Sequence, residues 1–357
     1  MTMTKVKPLL LCIFFTVMLF STVYQAHAQR TTTSSPVAEI PVTIFAAGDI
    51  AKCDGDDPWL EEFQELIGLL PENAGRDNDE VEEQPFYEEF LELMGFSEET
   101  DHYATAEETA SLLHGRKGRI LALGDLGYPI GSPKTFNECY ERTWGPLKNR
   151  TYPVPGNHEY KTTDAVPYFA YWGRQAGEAG KGYYSFDHGG WHIIAINSKL
   201  EKKVHRDTIS AQHAWLKDDL AATRARCILA FWHHPVFSSG QQAGSPRMKN
   251  MLRTLYNAGV SVVLAAHAHD YERFARQNPD GGLDPTRGFR SFVVGTGGAP
   301  LRPMKTLHQN SEAFRADSFG VLKLSLYPDR YDWAFLPVGD EPPIDAGTGS
   351  CVVPKKS

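Results

Sequence analysis

The chain has 357 residues, of which 41% are hydrophobic and 22% are charged, and its formal net charge at pH 7 is -8. This length and apolar content suit one large α/β domain or two small ones, and they do not suit a disordered or fibrous chain. The acidic balance argues against a nucleic-acid-binding groove, so we expect no nucleic-acid partner.

The first residues have the pattern of a secretory signal peptide. Lys5 and Lys7 supply positive charge, an apolar run covers residues 8 to about 24, and Ala28 completes the small-residue pattern that a signal peptidase recognises. We therefore predict a signal peptide over residues 1–28 and a secreted or periplasmic protein. The apolar run is short for a bilayer span of ~20 residues, so we expect no stable membrane span after cleavage.

Four cysteines follow this segment, namely Cys53, Cys139, Cys227 and Cys351. An even number in an exported protein predicts one or two disulfides, and all three double pairings remain open. None of the four has the CxxC spacing of a thiolate zinc site.

A single domain is predicted over residues 42–351, after a linker at 29–41 and before a short tail at 352–357. Residues 54–101 interrupt this domain with about eighteen acidic residues against one basic residue, Arg76. Apolar residues at helical spacing within this stretch predict one or two amphipathic helices. We interpret the stretch as an acidic helical insert on the surface.

The remainder of the domain alternates apolar runs with amphipathic segments. Strands are predicted at 42–47, 120–123, 183–186, 191–196, 228–232, 260–264 and 289–294. Helices are predicted at 210–221 and 246–258, and a hairpin at 320–337. Continuous apolar strands are covered on both faces, which is typical of a layered α/β sandwich.

Side chains able to bind a metal follow these strands in order. Open α/β sheets place their ligands beyond the carboxyl ends of strands. Several metal-binding side chains, each following a predicted strand, therefore predict a metal site. The candidate residues are Asp49, Asp125, Tyr128, Asn157, His158, His233, His267 and His269.

In this order the motifs resemble the calcineurin-like metallophosphoesterase superfamily, and within it the purple acid phosphatases and their bacterial relatives. The superfamily begins with Asp-x-His, whereas here Ala51 stands two residues after Asp49. Tyr128, three residues after Asp125, replaces the missing ligand as it does in the purple enzymes. The resemblance runs from about Thr43 to the final hairpin. It implies a four-layer α/β/β/α sandwich with two mixed β-sheets, without the separate amino-terminal β domain of the plant enzymes.

The resemblance also implies a centre for two metal ions. One ion would bind Asp49, Tyr128 and His269, the other would bind Asn157, His233 and His267, and Asp125 would bridge them. Fe(III) is expected at the Tyr128 position, because a phenol with a pKa of ~10 ionises at neutral pH only beside strong positive charge. The second position suits Zn(II), Fe(II) or Mn(II).

His158 and Asp125 are the expected catalytic residues. His158 would protonate the leaving group as a general acid, the alternative being a hydrogen-bond donor that orients the ligands. His234 is expected to point away from the centre, because it adjoins His233. Ala266 stands where the family has glycine, so the bend that brings His267 and His269 to the metals is constrained.

These inferences predict an exported phosphatase that uses a metal-activated water or hydroxide to hydrolyse phosphate monoesters, with a small-molecule phosphate ester as its partner. The alternative with the same metals is a phosphodiesterase acting on cyclic or nucleotide substrates. A third hypothesis is a non-catalytic receptor for phosphate or for a partner protein. The physiological substrate, pH optimum and oligomeric state remain open.

Overall fold

The computed structural model describes residues 40–52, 102–200, 206–241, 245 and 248–352, with residues 102–104 and 206–210 described by their backbone alone. The elements given below belong to the unit that begins at Pro41. The predicted signal peptide, the acidic insert at 54–101, and nearly all of the predicted linker and tail lie outside the described residues.

Fifteen strands occur in the described part of the chain. They are β1 (Val42–Ala47), β2 (Ala51–Lys52), β3 (Arg119–Ala122), β4 (Gly127–Tyr128), β5 (Thr151–Pro153), β6 (Tyr184–His188), β7 (Trp191–Ala195), β8 (Cys227–Phe231), β9 (Val262–Ala265), β10 (Tyr271–Phe274), β11 (Arg290–Val294), β12 (Ser311–Arg315), β13 (Gly320–Leu326), β14 (Arg330–Pro337) and β15 (Asp345–Ser350).

The longer helices are α1 (His102–Ser111), α2 (Val166–Trp172), α3 (Arg206–Ala222) and α4 (Lys249–Ala258). A π-helical segment, Thr135–Tyr140, continues into the short α-helix Glu141–Thr143. Shorter 3₁₀ segments cover Gly145–Arg150, Glu159–Lys161, Thr163–Ala165 and Gly173–Ala176.

The strands of the described residues form two large mixed sheets. The first has the order β15-β14-β13-β1-β3-β5, and its β1, β3 and β5 are parallel. The second has the order β12-β10-β11-β9-β8-β7-β6, and β7, β8, β9 and β11 are parallel. A two-stranded parallel sheet joins β2 to β4.

The two sheets pack face to face, and helices cover their outer faces. Ile193 and Leu229 of the second sheet share a buried apolar core with Leu322 of the first. Because successive side chains of a strand point to opposite faces, Ile194 and Ala230 lie instead in a second cluster with residues of α3 and α4. The predicted four-layer α/β/β/α sandwich is therefore confirmed.

All seven predicted strands are present, each within about two residues of its predicted bounds, and the hairpin is β13–β14. The prediction did not include β2, β4, β5, β10, β12 and β15. These strands are short or polar, and β15 alternates partly buried with exposed residues at a sheet edge. Their strand conformation depends on pairing with a neighbour, which a local apolar pattern does not reveal.

A disulfide joins Cys227 at the start of β8 to Cys351 just beyond β15, with Cα atoms 5.4 Å apart. Cys139 is also disulfide-bonded. The sequence left all pairings open, and the structure pairs Cys227 with Cys351. This bridge links β8 of the second sheet to the residue after β15, the edge strand of the first sheet.

The loops that carry the predicted metal ligands follow the carboxyl ends of parallel strands in both sheets. Asp49 follows β1, Asp125 follows β3, and Asn157 follows β5 in the first sheet. His233 follows β8, and His267 follows β9, in the second. Residues from two different sheets are thus brought to one edge of the sandwich.

Candidate metal centre

The phenol of Tyr128 lies within hydrogen-bond distance of three predicted ligands. Its Oη is 2.7 Å from Asp49 Oδ1, 3.3 Å from Asp125 Oδ2 and 3.1 Å from His269 Nε2. These residues come from the ends of β1, β3 and β9, and Asp49, Asp125 and His269 are almost completely buried. One half of the predicted ligand set therefore meets around the Tyr128 oxygen.

The other half meets around His233. Its Nε2 lies 3.1 Å from Asp125 Oδ2, 3.3 Å from Asn157 Oδ1 and 3.1 Å from His267 Nδ1. Asp125 Oδ2 is thus close both to the Tyr128 phenol and to the His233 imidazole. The structure brings all seven predicted ligands together, with Asp125 between the two groups.

Both carboxylates use one oxygen to fix a loop and leave the other facing the cluster. Asp49 Oδ2 accepts the backbone N–H of His267 at 2.7 Å, and Asp125 Oδ1 accepts that of His158 at 2.7 Å. The remaining oxygens, Oδ1 of Asp49 and Oδ2 of Asp125, are the ones that approach Tyr128. Their orientation is consequently set before any ion binds.

Backbone carbonyls orient two of the imidazoles. His233 Nδ1 lies 2.9 Å from the carbonyl oxygen of Leu123, and His269 Nδ1 lies 2.8 Å from that of Pro300. A carbonyl only accepts, so Nδ1 carries a proton and Nε2 is the ring nitrogen that faces the cluster. Metal-binding histidines are commonly held in this way.

Four of the clustered residues adopt left-handed backbone conformations that side-chain-bearing residues seldom occupy. The φ angles are +57° at Asp49, +51° at Asp125, +72° at His267 and +54° at His269. Ala266 is not among the residues of positive φ, so the bend falls on the histidines, and alanine is tolerated where the family has glycine. Such conformations concentrate at functional sites, where the surrounding structure enforces them.

Two glycines allow the backbone to approach the carboxylates. A Cβ at Gly156 would lie 2.1 Å from Asp125 Oδ1, and one at Gly295 would lie 2.7 Å from Asp49 Oδ2. The glycine-rich turn after β11 therefore makes room for Asp49.

Comparison with known proteins identifies the family of this chain. The model of the calcineurin-like phosphoesterase family matches residues 37–271, well over half of the chain. The chain belongs to the calcineurin-like phosphoesterases. The matched segment contains all seven predicted ligands and His158.

Curated relatives support the branch that Tyr128 indicates. Purple acid phosphatase 15 of Arabidopsis thaliana is 30% identical over 234 residues, which cover 55% of this chain and 43% of the relative. Acid phosphatase type 7 of Homo sapiens is 25% identical over 247 residues, which cover 58% of this chain and 54% of the relative. The chain spans about half the length of the curated relatives it matches. The predicted likeness to purple acid phosphatases is confirmed.

Solved structures agree on the fold. The purple acid phosphatase PPD1 from yellow lupin (Lupinus luteus) matches with a TM-score of 0.63 and 16% identity, covering 87% of this chain and 54% of the lupin chain. GAP50, the anchor in the inner membrane complex of Plasmodium, matches with a TM-score of 0.60 and 13% identity, covering 89% of this chain and 90% of its own. At these identities the likeness concerns the architecture alone.

Glu159 holds two loops of the phosphoesterase centre in place. This buried carboxylate accepts the backbone N–H groups of Asp125 at 3.0 Å, Leu126 at 2.8 Å and Gly156 at 2.6 Å. Burial, together with the charge of Asp125, raises its pKa to about 7, and the backbone donors oppose that rise. Glu159 therefore ties the loop after β3 to the loop after β5.

The electrostatics of the cluster fit a cation. Burial and the carboxylates of Asp49 and Asp125 raise the pKa of Tyr128 well above its ordinary value. Burial alone would lower the pKa of His233, but the Asp125 carboxylate outweighs it and raises that pKa to about 9. A bound metal ion would supply positive charge to balance these carboxylates and would also ionise the phenol, so this donor set suits highly charged cations.

His158 lies beside this cluster, on its partly exposed side. Its ring centroid is 4.2 Å from that of Tyr128, and its Nε2 is 3.9 Å from Asp125 Oδ2. Its Nδ1 lies 2.5 Å from the carbonyl oxygen of Pro129, to which it donates. Nε2 is the nitrogen left to exchange a proton with a bound molecule.

The expectation that His234 points away from the centre is wrong. Its ring lies 4.8 Å from that of His233 and 4.5 Å from that of His267, between centroids. Strand β8 ends at Phe231, so the alternation of side chains no longer applies at positions 233 and 234. The adjacent histidines are a signal in the sequence, but the alternation of a strand does not extend to residues beyond Phe231.

Among the residues that the structure describes, no helix has the length and apolar character needed to cross a membrane.

Proposed function

We propose that the chain is an exported, binuclear metal-dependent phosphatase that hydrolyses small phosphate monoesters. The observation that carries the proposal is the position of Asp125 Oδ2, 3.3 Å from Tyr128 Oη and 3.1 Å from His233 Nε2. A single carboxylate oxygen at the junction of two ligand groups suits a pair of ions that share one ligand.

The two ligand groups differ in chemistry and would take different ions. Asp49, Tyr128 and His269 would hold Fe(III), because two oxygen donors and the shared Asp125 supply negative charge for a hard, highly charged cation. Asn157, His233 and His267 would hold Zn(II), Fe(II) or Mn(II). When bound, such a pair polarises a phosphate ester and lowers the pKa of coordinated water.

The residues around the ions would position the reaction. Asp49 and Asp125, each fixed through one oxygen by a backbone N–H, keep the charge of the centre in a set orientation. His158 offers Nε2 on the partly exposed side, where a leaving group would depart, and is proposed as the general acid. A receptor that only binds phosphate has no need of such an acid, so this residue favours hydrolysis.

Export is supported by two independent features. The amino-terminal 28 residues have the composition of a signal peptide. The Cys227–Cys351 disulfide is of the kind that persists in oxidising compartments and is rare in the cytosol.

Paired substrates test the proposal. Purified protein is assayed with nitrophenyl phosphate and with the matching bis(nitrophenyl) phosphate across pH, before and after removal of metals. We expect turnover of the monoester to exceed that of the diester and to disappear in the metal-free protein. A preference for the diester would favour the phosphodiesterase alternative.

Metal-loaded protein that turns over neither ester would support the binding-only alternative. His213→Ala is a suitable control, because this half-buried histidine of α3 contacts Thr254 and takes no part in the centre.

A further inference from the structure

We infer that His234 is an additional imidazole ligand of the second metal position, making it a three-histidine site that prefers Zn(II). This inference rests on the proposed function in that it requires the binuclear centre. It adds a ligand to the set of Asn157, His233 and His267 described above.

The first observation is the mutual distance of three imidazoles. His233, His234 and His267 each offer one ring nitrogen, and these nitrogens all lie within 4.8 Å of one another. Two nitrogens bound to one zinc ion at 2.0–2.1 Å are separated by at most about 4.2 Å. Small side-chain adjustments therefore suffice to bring all three onto one ion.

The second observation is that His234 is held as a metal-binding histidine is held. Its Nδ1 lies 2.9 Å from Ser198 Oγ, and the same hydroxyl oxygen accepts the backbone N–H of His234 at 3.2 Å. Ser198 is itself almost completely buried. With Nδ1 occupied by the hydroxyl, Nε2 is the nitrogen left to bind an ion, as it is for His233, whose Nδ1 is held by a backbone carbonyl.

The third observation is the chemistry of this ring's neighbours. The rings of His233 and His267 lie 4.8 Å and 4.5 Å from the His234 ring, between centroids, so the donors that cluster at this position are imidazole nitrogens. Three imidazoles suit zinc better than manganese, which prefers oxygen ligands.

Metal binding, measured apart from activity, tests the inference. Metal-free wild type, His234→Ala and His234→Gln are loaded with Fe(III) and then titrated with Zn(II) or Mn(II) against a chromogenic chelator. We expect both variants to lose at least ~10-fold in Zn(II) affinity and much less in Mn(II) affinity. Thermal unfolding of the metal-free proteins confirms that the variants are folded, and the glutamine variant keeps a polar side chain beside Ser198.

His213→Ala is the matched control, because His213 is also half-buried and bonded to a hydroxyl, that of Thr254. It should bind Zn(II) as the wild type does. Cobalt(II) in place of zinc gives a second readout, since loss of an imidazole changes its visible absorption.

Zn(II) affinity within about twofold of the wild type in both His234 variants would overturn the inference. If KM rises in those variants while Zn(II) affinity is unchanged, His234 contacts the substrate and not the metal. In that case the two-metal phosphatase itself would stand. Wild-type protein that binds no second ion at all would overturn both this inference and the proposed function.

Discussion

Tyr128 is surrounded by groups that oppose its ionisation. Its Oη lies 2.7 Å from Asp49 Oδ1 and 3.3 Å from Asp125 Oδ2, and burial and these carboxylates raise its pKa well above the ordinary value. A cation of high charge is required to form the phenolate in such a place. The residue that distinguishes this chain from the general Asp-x-His pattern is therefore also the one that reports the identity of the ion.

We expect protein purified without chelators to contain iron and to absorb visible light through a phenolate-to-iron charge-transfer band. Tyr128→Phe should abolish the band while leaving the fold intact, because phenylalanine preserves the ring that packs on His158. Elemental analysis and the visible spectrum check this. A colourless wild type that holds only divalent ions would show that the Fe(III) assignment is wrong.

His158 has two possible roles, as a proton donor to the leaving group or as a group that orients its neighbours, and kinetics can distinguish them. If its Nε2 protonates the leaving group, His158→Ala should lower kcat by about 10²–10⁴-fold for an alkyl phosphate. The loss should be much smaller for nitrophenyl phosphate, whose leaving group needs little protonation. Steady-state kinetics on both esters measure the difference, and an equal loss on both would indicate that His158 only orients neighbouring groups.

At the scale of elements, the loops after β3 and β5 depend on one another through Glu159. Glu159→Gln keeps the shape of the side chain but replaces an accepting oxygen with a donor group, so a buried backbone N–H loses its partner. We expect a loss of about 1–3 kcal/mol in the free energy of unfolding. Because Asp125 lies on the affected loop, metal affinity should fall about 10–100-fold.

Thermal unfolding and bound-metal analysis measure both effects of Glu159→Gln. Glu178→Gln is the control, since Glu178 is exposed and pairs with Lys181 on the surface. Normal metal content in Glu159→Gln would mean that the loop after β3 keeps its conformation without this clamp.

The edge hairpin of the second sheet is tied to α3 by a histidine between two carboxylates. His192 on β7 has Nδ1 2.7 Å from Asp187 Oδ1 on β6 and Nε2 2.8 Å from Asp219 Oδ2 on α3. Burial lowers the pKa of His192, but the hydrogen bonds and charges of Asp219 and Asp187 outweigh it and raise the pKa. Protonation of His192 therefore strengthens the link between these elements.

A histidine whose folded-state pKa is raised stabilises the fold fully below its unfolded pKa of about 6.5, and this stabilisation is lost as pH rises through the folded pKa. His192→Gln should therefore be destabilised relative to the wild type more at pH 5.5 than at pH 9. We expect a difference of about 1 kcal/mol or less, because Asp187 is largely exposed and screened. Denaturant unfolding at the two pH values measures it, and a pH-independent difference would contradict the charge argument.

At the scale of the whole molecule, the edge of the sandwich opposite the metal centre is fastened by contacts between the sheets. Trp191 Nε1 donates to the carbonyl oxygen of Tyr327 at 2.7 Å, and the backbone N–H of Val352 donates to Ser261 Oγ at 2.9 Å. The Cys227–Cys351 bridge lies in the same region and closes a loop across 124 positions of sequence. A covalent link over such a separation restricts the unfolded chain strongly.

Replacing both Cys227 and Cys351 by serine should lower the free energy of unfolding by about 2–5 kcal/mol. Metal content should be unchanged, because the bridge is at the amino ends of the parallel strands and the ligands follow their carboxyl ends. Calorimetry and elemental analysis of the double variant check this. An unaltered unfolding temperature would show that the non-covalent contacts at this edge suffice.

The sequence alone predicted the apolar strands and the candidate ligands. Continuous apolar runs such as β7, β8 and β9 form strands in most contexts because they are buried on both faces, so local pattern is informative. Asp49 and His269 were identifiable as candidates because metal chemistry requires particular side chains at strand ends, and Tyr128 was identifiable through the resemblance to purple acid phosphatases. Polar edge strands such as β15 were not predicted, because only pairing with β14 defines them.

Only the tertiary structure decided how these side chains are arranged. Asp49 and His267 are 218 positions apart in sequence, and their contact depends on two sheets packing so that loops of both meet at one edge. The inward position of His234 and the clamp by Glu159 follow from backbone that has left the strand, where no periodic rule relates sequence to direction. Residue types are encoded locally, whereas the direction of each side chain is set by packing between segments far apart in the chain.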